Sequence, residues 1–561
     1  MKRDWYVEGK YKQPQTVDLK DRTWVNNRIT KAPVWCAVDL RDGNQAIYTP
    51  MTKEKKRVFF NKLVEIGFKT IEVGFPSASQ TEFDFVRMLI DEKMIPDDVS
   101  IQVLVQARKH LVERTFEALD GAKNVIIHLY NSTSPAQRRD VFMKEKSEII
   151  EIAASGTQMV IDAMKDFGAK VQFEYSPESF SLTELDFSAQ ISNAVIDVWN
   201  PKERGEMILN LPSTVECATP NVYADQIEWM CANINQRGHV LVSLHTHNDR
   251  GTGIASTELG LLAGAGRVEG TLFGNGERTG NADILTIALN MFSQGVNPQL
   301  DFSDVNSIKK VYEECTGMEI YPRQPYVGEM VFTAFSGSHQ DAIAKGMKLR
   351  KRENRLLWDV PYLPIDPKDV GRDYEAIVVI NSQSGKGGAA FILEQHGGFN
   401  IPKPMQVEVG RVVQLEADSL KRTLDNDEIV CLFKKEFVNR EDRVALLGMT
   451  PKRDKKDEDG KENISLEARL TIDGKEITAD DKGDGVINAL SKILAQNGFA
   501  FHLGTYEEHA LSEGSEAFAA AYISIEVEQN KTFFGVGVDT DILWASAAAL
   551  ISAVNRAFWA C

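Results

Sequence analysis

Cysteine is scarce in this chain. Six occur among 561 residues, at positions 36, 217, 231, 315, 431 and 561, and no two form a CxxC pair. Such scatter suggests neither a disulfide framework nor a structural zinc site, and it fits reduced thiols in a cytosolic compartment. Long apolar runs are missing as well. No stretch approaches the roughly 20 apolar residues of a membrane span. The opening segment MKRDWYVEGKYKQPQ has neither the apolar core of a secretory signal nor the Arg- and Ser-rich amphipathic pattern of a transit peptide. Positive charge is in the minority, with 64 Lys and Arg against 81 Asp and Glu, a net charge of -17. That balance argues against nucleic acid or an anionic membrane as the main partner. One locally basic pocket could still take a small anion. These absences describe a cytoplasmic protein.

What is present is a large core. Apolar residues make up 43% of the chain, and the length predicts two to four domains at roughly 150 residues each. Eight short β-type runs recur from residue 34: VWCAVDL (34–40), TIEVGF (70–75), IQVLVQ (101–106), NVIIHLY (124–130), KVQFEY (170–175), EMILNLP (206–212), HVLVSLHTH (239–247) and RVEGTLFG (267–274). Helix-like stretches such as KEKKRVFFNKLVEIG (53–67) and NVYADQIEWMCANINQRG (221–238) lie between them. Alternating strands and helices predict a parallel sheet, and eight units predict an α/β fold of the (β/α)8, or TIM, barrel type. An open doubly wound sheet is the alternative.

Past residue 325 the alternation stops. GSHQDAIAKGMKLRKRENRLLW (337–358) reads as a basic helix and VPYLPIDPKD (360–369) as a Pro-broken loop. The expected organisation is a catalytic barrel with an N-terminal extension over 1–327, linker subdomains over 328–427, and an α+β regulatory domain over 428–561. The charge run PKRDKKDEDGKEN (451–463) reads as a solvated loop. The last hundred residues hold a weak internal repeat. Residues 465–498 read strand, Asp-Gly turn, strand, Gly-rich turn, helix, and residues 520–558 repeat that order. The Asp-Gly, Gly-Val-Gly and Ala-rich segments suit either close approach to a small ligand or plain packing and dimerisation.

In a barrel, the polar residues that end each strand share one rim, where barrel enzymes keep their active sites. Strand one ends in DLRDGNQ, with Arg41, Asp42 and Gln45. Strand four carries His128 and Tyr130, strand five Ser176 and Glu178, and strand six Asn210 and Thr214. Strand seven ends in SLHTHNDRGTG, and strand eight leads into FGNGERTGNAD. Residues i and i+2 of a strand face the same side, so His245 and His247 can share one cation with Thr246 turned away. Asp42, with Asn281 as an oxygen donor, completes a mixed N/O set suited to Zn, Mn or Mg. Histidines on a polar rim without a metal are the alternative. Arg41 beside that site can stabilise charge developing on a carbonyl oxygen, or simply pair with Asp42. The glycines of GNGERTGN make a turn or line a phosphate-bearing ligand. The chemistry read from these residues is metal-dependent action on a carbonyl acid.

DLRDGNQ, SLHTHNDRGTG and GNGERTGNAD, in that order, resemble the motifs of the DRE-type, acyl-CoA Claisen-condensing barrel enzymes. The longer strings TKAPVWCAVDLRDGNQA, FEYSPESF, SGSHQDAI, VPYLPIDPKDVGR and NSQSGKGG are similar to the 2-isopropylmalate synthase family from about residue 28 to the C-terminus. The resemblance implies condensation of acetyl-CoA with 2-oxoisovalerate (3-methyl-2-oxobutanoate), giving 2-isopropylmalate and CoA, the first committed step of leucine biosynthesis. It implies a divalent metal on Asp42, His245 and His247 with Asn281 near, and activation by K+. Arg41 would share the alkoxide charge and Thr214 would bind the substrate carboxylate. Leu104, His128, Ser176, Asn210 and Pro212 would shape the pocket, with Tyr130 on the same rim, and Glu178 and Glu277 would be polar partners of the reacting centre. His339 and Tyr362 match the family's proton-abstracting pair, supplied across a domain-swapped homodimer. L-leucine is the implied inhibitor, and Gly483, Gly485, Tyr506, Ala510, Ala519 and Ala520 are the expected contact region. Two other readings remain open here. One is a sibling synthase for citramalate or homocitrate, and the other is a non-catalytic leucine sensor with a dead barrel.

Overall fold

The structure is a computed structural model and describes residues 10, 14, 16–334, 336–374, 387–420, 422, 424–453, 463–511, 517–527 and 531–558. Most of the opening segment, of NSQSGKGG and of the charge run 451–463 lies outside the described residues. The chain divides into two compact units, Met1–Phe332 with Ile365–Asp373, and Thr333–Pro364 with Tyr374–Cys561.

The first unit is built on eight parallel strands: β1 (Val34–Ala37), β2 (Thr70–Gly74), β3 (Ser100–Gln106), β4 (Asn124–Ser132), β5 (Lys170–Glu178), β6 (Met207–Ser213), β7 (Val240–Thr246) and β8 (Arg267–Gly270). They close into a barrel in chain order. β8 pairs with β1, with Val34 opposite Arg267 and Ala37 opposite Gly270. An open sheet would leave these two strands as unpaired edges, so the doubly wound alternative does not apply.

Parallel neighbours need a crossover, and a helix follows every strand. The first, Lys53–Ile66, shows why the sequence folds so. Thr52 caps its N-terminus by accepting from Lys55 N at 3.4 Å, and Gly67 ends it at φ 107°. Phe59, Phe60, Leu63 and Ile66 form its buried stripe, the 3.6-residue spacing of an amphipathic helix. The helix Gly253–Leu262 lies so close to β7 that a Cβ on Gly260 would meet the Leu244 side chain at 2.7 Å. The barrel interior is polar along its axis. Glu72, Gln102, His128, Glu174, Asn210, His245, Arg267 and Glu269 interrupt otherwise apolar strands, and all are buried.

Two strand ends differ from the sequence reading. VWCAVDL stops being a strand at Ala37. Asp39–Gly43 is instead a π-type turn, in which the amides of Arg41, Asp42 and Gly43 converge on Val38 O at 3.2, 2.8 and 3.2 Å. RVEGTLFG ends as a strand at Gly270, and Phe273 turns the chain at φ 60°.

The second unit opens with the helices Gly337–Glu353, Gly387–Gly397, Lys403–Leu420 and Asn426–Phe437. Two three-stranded antiparallel sheets follow. One holds β9 (Val444–Arg453), β10 (Ile464–Ile472) and β11 (Lys475–Gly483), and the other holds β12 (His502–Ala510), β13 (Ala519–Val527) and β14 (Lys531–Asp539). Each is followed by a helix, Val486–Gln496 and Ile542–Phe558. The repeat is therefore three strands and a helix, one strand longer than the sequence suggests. β12, HLGTYEEHA, is almost wholly exposed and so carries no apolar alternation to read. Asp473 (φ 45°) and Gly474 (φ 78°) make the predicted turn between β10 and β11, a left-handed pair suited to a two-residue hairpin.

The Gly-Val-Gly segment serves packing. A Cβ on Gly535 would strike Ala549 O at 2.3 Å, and one on Gly537 would strike Ala545 O at 1.8 Å. The bare glycines let the Ala-rich helix Ile542–Phe558 lie directly on β14, so close approach here is between two parts of the chain. Among the described residues, no helix is long and apolar enough to cross a membrane.

Candidate active site and metal centre

The turn after β1 makes the site. On a strand, the consecutive residues Arg41 and Asp42 would face opposite sides. The π-type turn lets both line one rim cleft, a use of this irregularity that recurs at functional sites. Arg41 Nη1 donates to Asp42 Oδ1 at 2.6 Å, and Arg41 Nε donates to Glu72 Oε1. Asp42 Oδ2 lies 3.1 Å from His245 Nε2 and 3.5 Å from His247 Nε2, and accepts from Asn281 Nδ2 at 2.8 Å. His245 is the penultimate residue of β7, whereas His247 lies just past the strand in a bridge to Asn281. The Thr246 hydroxyl turns away, to Gly253 O at 3.1 Å and Thr257 Oγ1 at 2.6 Å.

The donor set fits a divalent cation. Ligand atoms of Asp42, His245 and His247 all lie within 4.8 Å of one another. His247 Nε2 and Asn281 Oδ1 are buried without a hydrogen-bond partner. Each such orphan costs about 1–3 kcal/mol, and an ion among these four residues would satisfy both. Two imidazoles, a carboxylate and an amide oxygen, with no thiolate, suit Zn, Mn or Mg with positions open for substrate. A second group, Glu72, His128 and Glu269, also has metal-ligating side chains close together. Its centre is filled by Gln102 Nε2, 2.5 Å from Glu72 Oε2 and 2.8 Å from Glu269 Oε1, so an amide does what a cation would.

The electrostatics follow from burial and pairing. Burial works against the Asp42 charge, but the Arg41 guanidinium, the bond to His245 and the nearby His247 ring outweigh it and hold the carboxyl well below its usual range. Burial also disfavours charge on His245, yet its contacts with Asp42 and Glu269 raise it to about 9. Glu269 is held ionised against burial chiefly by Arg267, and Glu72 by Arg41 and His128. Burial pushes Glu174 well upward despite Arg267.

The cleft offers about 280 Å³ and is lined by Arg41, Asp42, Gln45, Leu104, His128, Tyr130, Ser176, Glu178, Asn210, Pro212, Thr214, His245, His247, Glu277 and Arg278. The barrel thus gathers the rim residues read from strands one, three to eight and their loops, with Asn281 bonded to Asp42. His128 Nε2 lies 2.7 Å from Ser176 Oγ, which accepts from Asn210 Nδ2 at 3.0 Å. Tyr130 OH accepts from Gln106 Nε2 at 2.9 Å. Glu178 accepts from Ser132 Oγ, and Thr214 Oγ1 accepts from Ser179 N at 2.9 Å. Glu277 is exposed on the loop after β8. Arg278, beside it, was not singled out from sequence. Its Nη2 reaches His247 Nδ1 at 2.6 Å, and its Nε reaches Asp249 Oδ1 at 2.6 Å.

Sequence reading also passed over Glu72, Gln102, Glu174, Arg267 and Glu269. The available signal was a polar side chain in mid-strand, as in TIEVG or IQVLVQ, where a parallel strand buried on both faces should be apolar.

His339 and Tyr362 belong to the second unit. Both are exposed, and their rings stack with centroids 4.0 Å apart. Gly483 and Gly485 sit at the junction of β11 and the helix Val486–Gln496. Tyr506 and Ala510 lie on β12, and Ala510 pairs with Ala519 of β13. Tyr506 is half-exposed with its hydroxyl 2.9 Å from Ser546 Oγ, and Ala520 is buried in a core with Tyr522 and Phe534.

Fold and rim together define a class, a (β/α)8-barrel enzyme with a candidate metal centre at the C-terminal ends of its strands. Family comparison narrows it. Residues 32–311 match the HMGL-like family, 329–394 the alpha-isopropylmalate synthase post-catalytic domain-like family, and 423–558 the LeuA allosteric (dimerisation) domain. The chain is 51% identical to a 2-isopropylmalate synthase of Clostridium acetobutylicum, over 98% of this chain and 99% of that one. It is equally 51% identical to one of Pseudomonas entomophila, over 98% and 97%. The chain belongs to the 2-isopropylmalate synthase family. Among solved structures, an HMG-CoA lyase of Brucella melitensis overlaps 51% of this chain and 100% of its own at 18% identity and a TM-score of 0.42.

Proposed function

We propose that the chain condenses acetyl-CoA with 2-oxoisovalerate and water to give 2-isopropylmalate and CoA, and that leucine inhibits it. The observation that carries the reading is the meeting of His245 and His247 on Asp42 Oδ2, beside Arg41.

A divalent ion held by Asp42, His245, His247 and Asn281 would polarise the keto group of the bound acid. Mg, Mn and Zn all suit that donor set. The other roles belong to the chain. Arg41 is aimed by two carboxylates, Asp42 and Glu72, and shares the negative charge that forms as the ketone becomes an alkoxide. Thr214 accepts from Ser179 N, which leaves its own proton for the substrate carboxylate. Leu104 and Pro212 make the apolar wall for the isopropyl group. His128 is bonded at both nitrogens, to Glu72 and Ser176. It therefore has no free donor for the second carboxylate of 2-oxoglutarate, and a site built this way disfavours that acid. Glu178 and Glu277 flank the reacting centre, with Tyr130 on the same rim.

The methyl proton of acetyl-CoA goes to His339, with Tyr362 beside it, both supplied by the partner subunit of a domain-swapped homodimer. An exposed imidazole suits a general base at neutral pH. Hydrolysis of the thioester then releases CoA and draws the condensation forward. Leucine binds the C-terminal repeat near Gly483, Gly485, Tyr506, Ala510, Ala519 and Ala520, and K+ acts as an activator. The test is CoA release with 2-oxoisovalerate, pyruvate and 2-oxoglutarate in turn, with and without chelator and leucine. Release that is equal for all three acids, or indifferent to chelator, refutes the reading.

A further inference from the structure

Around its axis, the barrel holds a closed ring of hydrogen bonds, of which the steps above use only the contacts of His128 and the bond from Glu72 to Arg41. Glu72 Oε2 on β2 lies 2.8 Å from His128 Nδ1 on β4, and His128 Nε2 lies 2.7 Å from Ser176 Oγ on β5. Asn210 Nδ2 on β6 reaches Ser176 Oγ at 3.0 Å and Glu269 Oε2 on β8 at 3.1 Å. Gln102 on β3 closes the ring, with Nε2 at 2.5 Å from Glu72 Oε2 and 2.8 Å from Glu269 Oε1. All six side chains are buried.

With both carboxylates ionised and His128 neutral, one proton arrangement serves the six contacts above, while Gln102 Nε2 and His128 Nδ1, 3.3 Å apart, both donate to Glu72 Oε2. Arg267 Nη2 lies 2.7 Å from Gln102 Oε1. A guanidinium only donates, so this contact fixes which amide atom of Gln102 is the oxygen. Its two amide protons are left for the two carboxylates. Asn210 spends its own two on Ser176 and Glu269. The Ser176 proton then goes to His128 Nε2, and His128 Nδ1–H goes to Glu72. Arg267 Nη1 also donates to Glu269 Oε1 at 2.9 Å inside the barrel, and two further contacts point outward to the rim. Glu72 Oε1 holds Arg41, and Glu269 Oε2 accepts from His245 Nδ1 at 2.8 Å.

Gln102 thus stands between two like charges, one behind each half of the reaction centre. A neutral donor bonded to both relieves their repulsion and fixes their spacing, and satisfied buried networks of this kind rigidify what they hold. We propose that Gln102, clamped by Arg267, is a positioning residue for the condensation. It ties the carboxylate that aims Arg41 to the carboxylate that aims His245, so guanidinium and metal ligand keep one separation. The turnover half of this inference rests on the function proposed above, and the ion-binding half does not.

Two variants test it. Gln102→Met fills similar volume and donates nothing. Gln102→Glu keeps the length and an acceptor for Arg267, but offers Glu72 and Glu269 no proton. Mn2+ alone, titrated calorimetrically into metal-stripped full-length protein, should bind Gln102→Met about tenfold more weakly than the parent. The kcat for CoA release should fall at least about tenfold in both variants, with the KM for acetyl-CoA within about threefold of the parent. Parental kcat in either variant that melts like the parent, or parental Mn2+ affinity in a folded Gln102→Met, overturns the proposal. Failure of both variants to fold also overturns it and makes Gln102 a structural residue. Weakened Mn2+ binding alongside a parent that releases no CoA would keep the brace and reject the condensation.

Discussion

The imidazole of His339 lies on the phenol ring of Tyr362, with centroids 4.0 Å and planes 26° apart. Tyr362 is held at φ 65°, a left-handed backbone that a tyrosine rarely adopts. The pair is exposed and leans on no carboxylate within hydrogen-bond reach among the described residues.

If the base acts across subunits, two dead enzymes should rescue each other. His339→Ala and Arg41→Ala are each expected to be inactive. Mixed under conditions of shown subunit exchange, they should regain up to about a quarter of parental turnover, since one composite site in a mixed dimer carries both native residues. Absence of recovery would place the whole site in one chain.

Removing a metal-facing imidazole should cost ion and activity together. His245→Ala and His247→Ala should melt near the parent and hold no Mn2+ after dialysis, with CoA release lowered by at least about a hundredfold. Full turnover of either variant in chelator-treated buffer would reject the centre.

Ion binding should depend on pH through His245. Its contacts with Asp42 and Glu269 raise it to about 9 against the opposing effect of burial, so below that value the ion-free ring is protonated. A ligand nitrogen must be neutral, so binding expels a proton. Mn2+ affinity should rise about tenfold per pH unit between 7 and 9 and then level off. Calorimetry in buffers of different ionisation enthalpy would count the proton, and a flat profile contradicts the assignment.

Asp39 gives a second pH signature. Burial raises it from 3.8 to about 8. Its Oδ1 accepts from Leu272 N at 2.9 Å, while Oδ2 has no partner. The folded state therefore keeps a proton that the unfolded chain loses near 3.8. Between those values the folded form binds more protons, so stability falls as pH rises, and this contribution is fully lost above about 8. Asp39→Asn keeps the acceptor and never charges. Its melting temperature should exceed the parent's by more at pH 9 than at pH 6, and equal differences at the two values would refute the shift.

Two neighbouring glycines should part company. A Cβ on Gly485 meets nothing within 4 Å, whereas one on Gly483 meets Ala489 N at 2.6 Å. Gly485→Asp should fold, keep its basal rate and lose leucine inhibition. Gly483→Ala should lower stability by about 1–3 kcal/mol, the cost of overpacking against backbone. A Gly485→Asp enzyme inhibited like the parent would move the leucine site elsewhere.

The sequence by itself determined the strand order and the rim. Apolar runs with helical stretches between them allow a closed barrel, and once it closes, the residue ending each run must meet its neighbours at one end. Arg41, Asp42, Thr214, His245 and His247 could be placed together for that reason, before any contact was known. Local turn chemistry was legible too, as in the Asp473–Gly474 hairpin. The tertiary structure alone decided three things. It held Asp39–Gly43 as a π-type turn, whose two ends are tied to the loop after β8: Asp39 Oδ1 accepts from Leu272 N at 2.9 Å and Gly43 O accepts from Asn275 Nδ2 at 3.1 Å. It showed that Gly535 and Gly537 make room for a helix, since nothing in Gly-Val-Gly says which surface will approach. It also joined Glu72, Gln102, Glu174, Arg267 and Glu269 within the barrel. Up to 197 residues separate those five along the chain, from Glu72 to Glu269, and hydrogen bonds between side chains on non-adjacent strands follow no spacing in sequence. They exist only because the closed sheet carries its inward-facing residues to a common axis, where low dielectric makes every unpaired polar group costly and every pairing specific.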